Sequence, residues 1–309
     1  MKNILITGGA SGLGKLLSQS LATKGHRIFV AIDQPEGKNI IIAHYLTQWA
    51  KEHEVQLHVL DMDISTCQSV KNAVKQMALM TSSNIDVVIN NASCGFTGLN
   101  ESLAVSQTEH MFQVNVIGTD RIMKTILPYM YKRHEGVFIN ITGTIARHPL
   151  PMHGTLAATK AAADALAMSY HYELRGSGID VVIVQPGIWQ SPSMYCEQLI
   201  GENLIDGNRD MSHDEPLLEI FGSHRFRSHF MPANVADAIT EIIDTPTGFR
   251  SLWTVIGAVG RDQSIRHINQ ATRELTDTIL LAAGVEDDEI YANPKLASEH
   301  ARLIVIYPP

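Results

Sequence analysis

The first fourteen residues constrain this chain more than any other stretch. Ile4, Leu5 and Ile6 form a short apolar run, the pattern of a strand buried on both faces. Thr7 and Gly8 end that run. Gly12 and Gly14, with Ser11 and Leu13 beside them, open an amphipathic segment from Lys15 to Lys24, in which Leu16, Leu17 and Leu21 recur at roughly helical spacing. A strand, a tight glycine turn and a helix N-terminus together make an anion site. Backbone N–H groups and the positive end of the helix dipole point at a phosphate, and glycine lets that phosphate approach the main chain. In that setting the glycines predict nucleotide binding; alone they would mark only a turn.

The rest of the chain repeats the same alternation. Residues 28–32 read as a second strand with Asp33 at its end, about 20 residues beyond the glycine turn, where an acidic side chain grips a ribose diol in dinucleotide-binding folds. The Asp33 carboxylate repels a 2′-phosphate and no arginine follows it, which favours NAD over NADP. Helical patterns over 39–52, 66–80, 106–132 and 155–174 alternate with strand patterns over 55–60, 85–89, 137–141 and 180–184. Such alternation predicts a parallel, doubly wound α/β sheet. After Gly187 the pattern breaks. Residues 188–231 read as a lid insertion, helix 233–244 and strand 252–256 complete a domain spanning 1–261, and 262–309 read as a C-terminal helical extension and tail.

Composition narrows the partners. The chain has 309 residues, 45% of them hydrophobic, enough for a sizeable core. A formal charge of −8 argues against nucleic acid. No apolar run reaches membrane-spanning length, and a strand starting at Ile4 leaves no room for a signal peptide. The three cysteines, Cys67, Cys94 and Cys196, are scattered and suit a reducing, cytoplasmic compartment better than a disulfide framework. The 14 histidines show no ligand spacing, so no metal site is expected. In the lid, Ile188, Trp189, Met194, Tyr195, Leu199, Ile200, Leu218 and Phe221 suggest an apolar pocket. The run His224-Arg225-Phe226-Arg227 adds charge that would suit an acidic group on a small-molecule substrate.

Taken together, Thr7-Gly8 with Gly12 and Gly14, Asp63-Ile64, Asn90-Asn91-Ala92, Asn115, Lys160, and Pro186-Gly187 with Ser191 resemble the short-chain dehydrogenase/reductase family, in its order, from residue 3 to about 260. The resemblance implies a Rossmann-type fold and a nicotinamide dinucleotide across the C-terminal edge of the sheet. It places Gly8, Gly12 and Gly14 at the pyrophosphate, Asp63 at the adenine amino group and Ile64 at its ring. Asn91 and Ala92 would line the adenine ribose, and Ile188 and Ser191 the nicotinamide. It also implies an oxidoreductase acting on a carbonyl or alcohol. The Ala-rich segment 155–174, as a subunit contact, implies a homo-oligomer.

The expected chemistry is incomplete in this chain. The family's active site resembles a Ser, Tyr and Lys set with a supporting Asn, the tyrosine one helical turn before the lysine. Here Lys160 and Asn115 are present, but Leu156 stands at the tyrosine position and Gly143 at the serine position. Thr142 and Thr144 flank the empty serine position and are possible substitutes, while His148, His153 and Tyr195 are remoter candidates for the acid. A positioned general acid is worth about 10²–10⁴ in rate. Two readings therefore stand: an oxidoreductase with an atypical proton relay, and a nucleotide-binding sensor or subunit partner without turnover.

Overall fold

Strand β1 (Asn3–Thr7) shows how the sheet is built. Ile4 and Ile6 point into one apolar layer and Leu5 into another, because side chains alternate across a strand. The same division recurs in β2 (Arg27–Ile32), where Ile28, Val30 and Ile32 face one way and Phe29 and Ala31 the other. Both faces are therefore dry, the condition under which parallel strands become continuous apolar runs. The computed structural model describes residues 1–10, 12–187, 198–200, 231–257 and 262–285.

The first layer is covered by α1 (Gly12–Thr23), α2 (Ile40–Glu52) and α7 (Pro232–Asp244). The second is covered by α3 (Cys67–Met80), α5 (Thr119–Arg133) and α6 (Gly154–Glu173). Between them run β3 (Leu57–Asp61), β4 (Val87–Asn90), β6 (Gly136–Ile141), β7 (Ile179–Pro186) and β9 (Trp253–Ile256). Together with β1 and β2 they make a seven-stranded parallel sheet of order β3-β2-β1-β4-β6-β7-β9. The chain leaves β1 in one direction and returns at β4 to build in the other. The crevice between their C-terminal ends is thus the topological switch point, where open α/β sheets bind ligands.

Two features depart from the periodicity. The segment expected as one helix over 106–132 is α4 (Val105–Phe112), then a π-helical stretch at Gln113–Gly118, then α5. A π turn inserts a residue into the helical register and commonly marks functional sites. The second is a small parallel sheet that pairs β5 (Gly95–Thr97) with the backbone of β8 (Gln198–Ile200). Three-residue strands carry too little alternation to be seen in sequence. The rest of the expected lid, 188–197 and 201–230, lies outside the described residues, as does the tail beyond 285. The helix after β9 is α8 (Asp262–Ala282), whose Arg266 Nη2 donates to Val255 O at 3.3 Å. Among the described residues no helix is long and apolar enough to cross a membrane.

On α6, His171 places Nδ1 3.2 Å from the Val181 carbonyl of β7 and stacks edge-on to Tyr172. Burial lowers its pKa to about 4, against the hydrogen bond to Val181, which favours the charged ring. The unfolded chain therefore takes up this proton at higher pH than the folded one. The His171 contribution is complete above about pH 6.5 and is lost as pH falls toward 4. Replacing His171 by Gln should flatten the pH dependence of stability in that window, by about 2–3 kcal/mol at its lower end. Denaturant melts at pH 7 and pH 4 measure this, and an equal acid loss in both proteins rejects the assignment.

Candidate functional site

The glycine turn after β1 has no room for side chains. A Cβ on Gly14 would lie 2.2 Å from Gly8 O and 2.6 Å from Asn91 Nδ2. One on Gly8, where φ is +67°, would lie 2.7 Å from Ala92 Cα. The turn is pressed against the end of β4 and latched there. Thr7 Oγ1 accepts from the backbone N–H groups of Asn91 (3.1 Å) and Ala92 (3.0 Å). In return, Asn91 Nδ2 donates to Thr7 O (3.0 Å) and Gly8 O (3.2 Å). Gly8, Gly14, Asn91 and Ala92 thus meet at the β1–β4 crevice, and Gly12 and Leu13 open α1 beside them. Ser11 lies outside the described residues.

The flank over β2 and β3 carries two carboxylates. Asp33 follows β2 and forms an ion pair with Lys38 at 2.5 Å, the lysine 60% exposed. Lys38 thus adds a counter-charge beside Asp33 that the sequence expectation lacks. Asp63 follows β3, and its carboxylate accepts from Ser65 N (2.8 Å), Ser65 Oγ (2.7 Å) and Thr66 Oγ1 (2.8 Å). Burial pushes its pKa up, but these hydrogen bonds and Lys38 outweigh burial and hold it below the usual carboxylate value. Ile64 packs against Gly118 of the π turn, and its carbonyl accepts from Arg121.

The other flank centres on α6. Asn115, 3% exposed in the π turn, accepts from Cys94 N at 2.8 Å through Oδ1. Its Nδ2 donates to Cys94 O (2.8 Å) and to Thr159 Oγ1 (2.9 Å). Thr159 Oγ1 in turn donates to Leu156 O at 2.8 Å. Asn115 thereby binds the loop after β4 to the helix that carries Lys160. Lys160 is partly buried and its Nζ lies 3.4 Å from Ile141 O at the end of β6. Desolvation lowers its pKa to about 8, against the field of Asp164, which raises it.

The residues that the sequence sets at the family's hydroxyl positions, Leu156 and Gly143, are apolar and bare. Leu156 packs on a small apolar cluster of Phe96, Leu103 and Met111, with its Cδ2 facing Gly95. Gly143 has φ +115° and ψ 157°, a region essentially restricted to glycine. Thr142 and Thr144 are buried, and the Thr142 hydroxyl donates to Val184 O at 3.5 Å. His153 precedes α6, its Nδ1 3.2 Å from Pro151 O, and His148 lies in the loop before it. Tyr195, Ile188 and Ser191 fall outside the described residues; Pro186 ends β7 and Gly187 N donates to Ile256 O at 2.7 Å. Tyr170 and Tyr172 are held by Asp120 (2.7 Å) and Asp277 (2.8 Å), away from any acid role near Lys160.

Sequence reasoning missed a buried polar ring beside Lys160. Gln185 Nε2 donates to Asp164 Oδ2 (2.5 Å), and Arg147 Nη2 pairs with the same oxygen (3.2 Å). Arg147 Nε donates to Asn269 Oδ1 (2.7 Å), and Asn269 Nδ2 donates to Gln185 Oε1 (2.7 Å). A signal was present: Asp164 is a carboxylate in the middle of the alanine-rich run and stands one turn beyond Lys160. Its three partners come from loops and elements with no local relation to it.

A family model for short chain dehydrogenases matches residues 2–197. The chain belongs to that family. A 3-ketodihydrosphingosine reductase from Bacteroides thetaiotaomicron is 30% identical over 203 residues, spanning 65% of this chain and 70% of that protein. An uncharacterized oxidoreductase from Myxococcus xanthus is 25% identical over 225 residues, 68% of this chain and 87% of that one. Among solved structures, a short-chain dehydrogenase from Streptomyces avermitilis aligns with a TM-score of 0.70 at 21% identity, covering 92% of this chain and 99% of its own. An alcohol dehydrogenase from Thermococcus sibiricus complexed with 5-hydroxy-NADP aligns at 0.65 and 22% identity, over 84% and 97%. At these identities the structures support the Rossmann-type fold. The family match ends before α7, β9 and α8, so Asn269 lies beyond the matched part of this short-chain dehydrogenase.

Proposed function

We propose that this chain binds a nicotinamide dinucleotide across the β1–β4 crevice and acts as an oxidoreductase on a carbonyl or alcohol substrate, with a site that lacks the usual hydroxyl donor. The latched glycine turn carries this reading. The cradle fits the group: the turn at the start of α1 is bare of side chains at Gly8 and Gly14, so its main chain is open to a pyrophosphate, and a Cβ on Gly14 would push the turn apart by striking Gly8 O. When bound, the nicotinamide supplies or accepts a hydride. The chain's own residues do the rest. Asn91 and Ala92 line the adenine ribose beside Gly8, while Asp63 and Ile64 border the adenine. Lys160, held on the helix that Asn115 braces, faces the nicotinamide ribose, with Pro186, Gly187, Ile188 and Ser191 along the nicotinamide side. The reductase name of the Bacteroides relative supports a ketone as substrate class, and Leu156 makes the wall beside Lys160 apolar.

Asp33 favours NAD(H) over NADP(H), since its carboxylate repels a 2′-phosphate, and Lys38 offsets part of that repulsion. Calorimetric titration should show tighter NADH than NADPH binding. The gap should narrow in Asp33→Ala and widen in Lys38→Ala, and binding of both should disappear in Gly14→Ala. Equal or tighter NADPH binding by the unaltered protein removes the role given to Asp33.

The same site favours a second reading in one respect. Leu156 brings no proton, and its packing on Phe96, Leu103 and Met111 leaves the tyrosine position closed, as in a binding protein without turnover. Turnover by the unaltered chain decides between them, and Leu156→Tyr tests the missing donor. A tyrosine one turn before Lys160 gains a lowered pKa from the ammonium, and carbonyl reduction should rise at least tenfold, toward the 10²–10⁴ range of a positioned acid. Gly143→Ser should cost about 1–3 kcal/mol, because serine must adopt φ +115° or turn the loop. Single-turnover NADH oxidation over a ketone and aldehyde panel gives the readout. A folded, NADH-binding Leu156→Tyr protein that stays inert on every carbonyl rejects the carbonyl reading, and brisk turnover by the unaltered chain points to another acid.

The alanine-rich α6 is also read as a subunit contact. Ala158 and Ala165 are exposed on it, where small side chains permit close backbone approach. Light scattering at micromolar concentration should give a dimer or tetramer; a monomer mass rejects the contact.

A further inference from the structure

Asp164 is wholly buried in the middle of α6, at 0% exposure. A lone carboxylate in such a place is costly unless paired and hydrogen-bonded. The ring around it meets that condition and fixes its own polarity. Asp164 Oδ2 receives the Gln185 amide N–H and the Arg147 guanidinium, so that oxygen carries no proton. The Gln185 amide must then turn its oxygen to Asn269, and the Asn269 amide its oxygen to Arg147. Each amide has one orientation that satisfies both neighbours, and both leave Asp164 Oδ2 as an acceptor; burial pushes the Asp164 pKa up, and the Arg147 guanidinium and the Gln185 amide act against it in favour of the anion. Asp164 Oδ1 makes no hydrogen bond of normal geometry, although the Thr142 hydroxyl lies near enough to favour the charge.

Lys160 stands one turn before this carboxylate. Among the described residues its hydrogen bond is a long one, 3.4 Å to Ile141 O, so hydrogen bonding holds the ammonium weakly. Asp164 is the charged group acting on it among the described residues. From the other elements packed nearby, β6 presents the Ile141 carbonyl, the π turn presents the neutral Asn115 amide, bonded to Thr159 of α6, and Arg147 is turned to Asp164.

We propose that Asp164 is a positioning residue that keeps the Lys160 ammonium charged at the cleft, and that Asn269 makes α8 part of the site by closing the ring that holds Asp164. The consequence for dinucleotide binding rests on the function proposed above; the effect on the lysine does not. A helix outside the family-matched segment thereby sets the charge state of a residue at the centre of the site.

The test reads the lysine directly, in the full chain without cofactor. Trace acetylation by acetic anhydride is followed from pH 6 to 10, and Lys160 is quantified by mass spectrometry against the other lysines. In the unaltered chain its reactivity should rise with a midpoint near 8. Asp164→Asn removes the anion, so the midpoint should fall by a unit or more and reactivity at pH 7 should rise about tenfold. Asn269→Ala keeps both charges but opens the ring, and should move the midpoint in the same direction by less. Asp120→Asn, an equal charge change at the carboxylate held by Lys124 and Tyr170, is the control and should move nothing. An unchanged midpoint in folded Asp164→Asn overturns the proposal, as does an equal shift in the control. If Asp164→Asn does not fold, Asn269→Ala decides alone, and an unshifted midpoint there overturns it. NADH titration over the same pH range separates the two claims. Shifted labelling with no NADH binding in any variant rejects the proposed function and leaves the lysine assignment standing.

Discussion

The Thr7 hydroxyl, accepting two backbone N–H groups across the β1–β4 crevice, is the contact on which the site depends. Adjacent strands in a sheet hold one another by main-chain ladders, but at the switch point the two chains diverge and the ladder stops. Without another link the glycine turn and the loop after β4 would have no fixed spacing. Thr7 and Asn91 supply the link from both sides, and the glycines let the two segments meet with no Cβ between them. The crevice, the start of α1 and the position of Ala92 all follow from that spacing.

A second brace acts at the far side of the crevice. The π turn turns Asn115 inward, and one amide then bridges the Cys94 backbone to Thr159 on α6. That bridge sets where α6 begins to present side chains, and therefore where Lys160 stands. The ring of Asp164, Gln185, Asn269 and Arg147 fixes the same helix one turn further on. Lys160 is thus clamped from both directions, while Leu156, one turn earlier, is given to packing. On the function proposed above, this is a site with its scaffold intact and its hydroxyls absent. Losing a proton donor changes one side chain; losing either brace would displace a helix.

Burial runs through these features with opposite results. It lowers the pKa of Lys160 and His171 and raises that of Asp164, because each charged form is penalised in the same way. His171 answers by staying neutral against a carbonyl. Asp164 is surrounded by donors. Asp63 shows the same balance tipped further, since three hydrogen bonds override its partial burial.

The sequence by itself determined the sheet, the glycine turn and the identity of the residues around the crevice. Apolar runs of β-branched residues and helical spacing are local patterns, and the Gly8, Gly12 and Gly14 requirement is written within one short turn of the chain. Leu156 and Gly143 were legible because each is read against Lys160 and Asn140 in the same stretch. What tertiary structure alone decided is which side chains meet. The Asp33–Lys38 pair is local in sequence, whereas the pairing of Asp164 with Arg147, Gln185 and Asn269 is not. Those four residues come from a helix, a loop, a strand end and the last described helix, and hydrogen bonding over such separations leaves no periodicity. The π turn and the three-residue strands were hidden for a related reason. Each is a deviation of one turn or a few residues from a pattern that needs longer stretches to be seen, and only the packing around Asn115 and Gly95 makes it favourable.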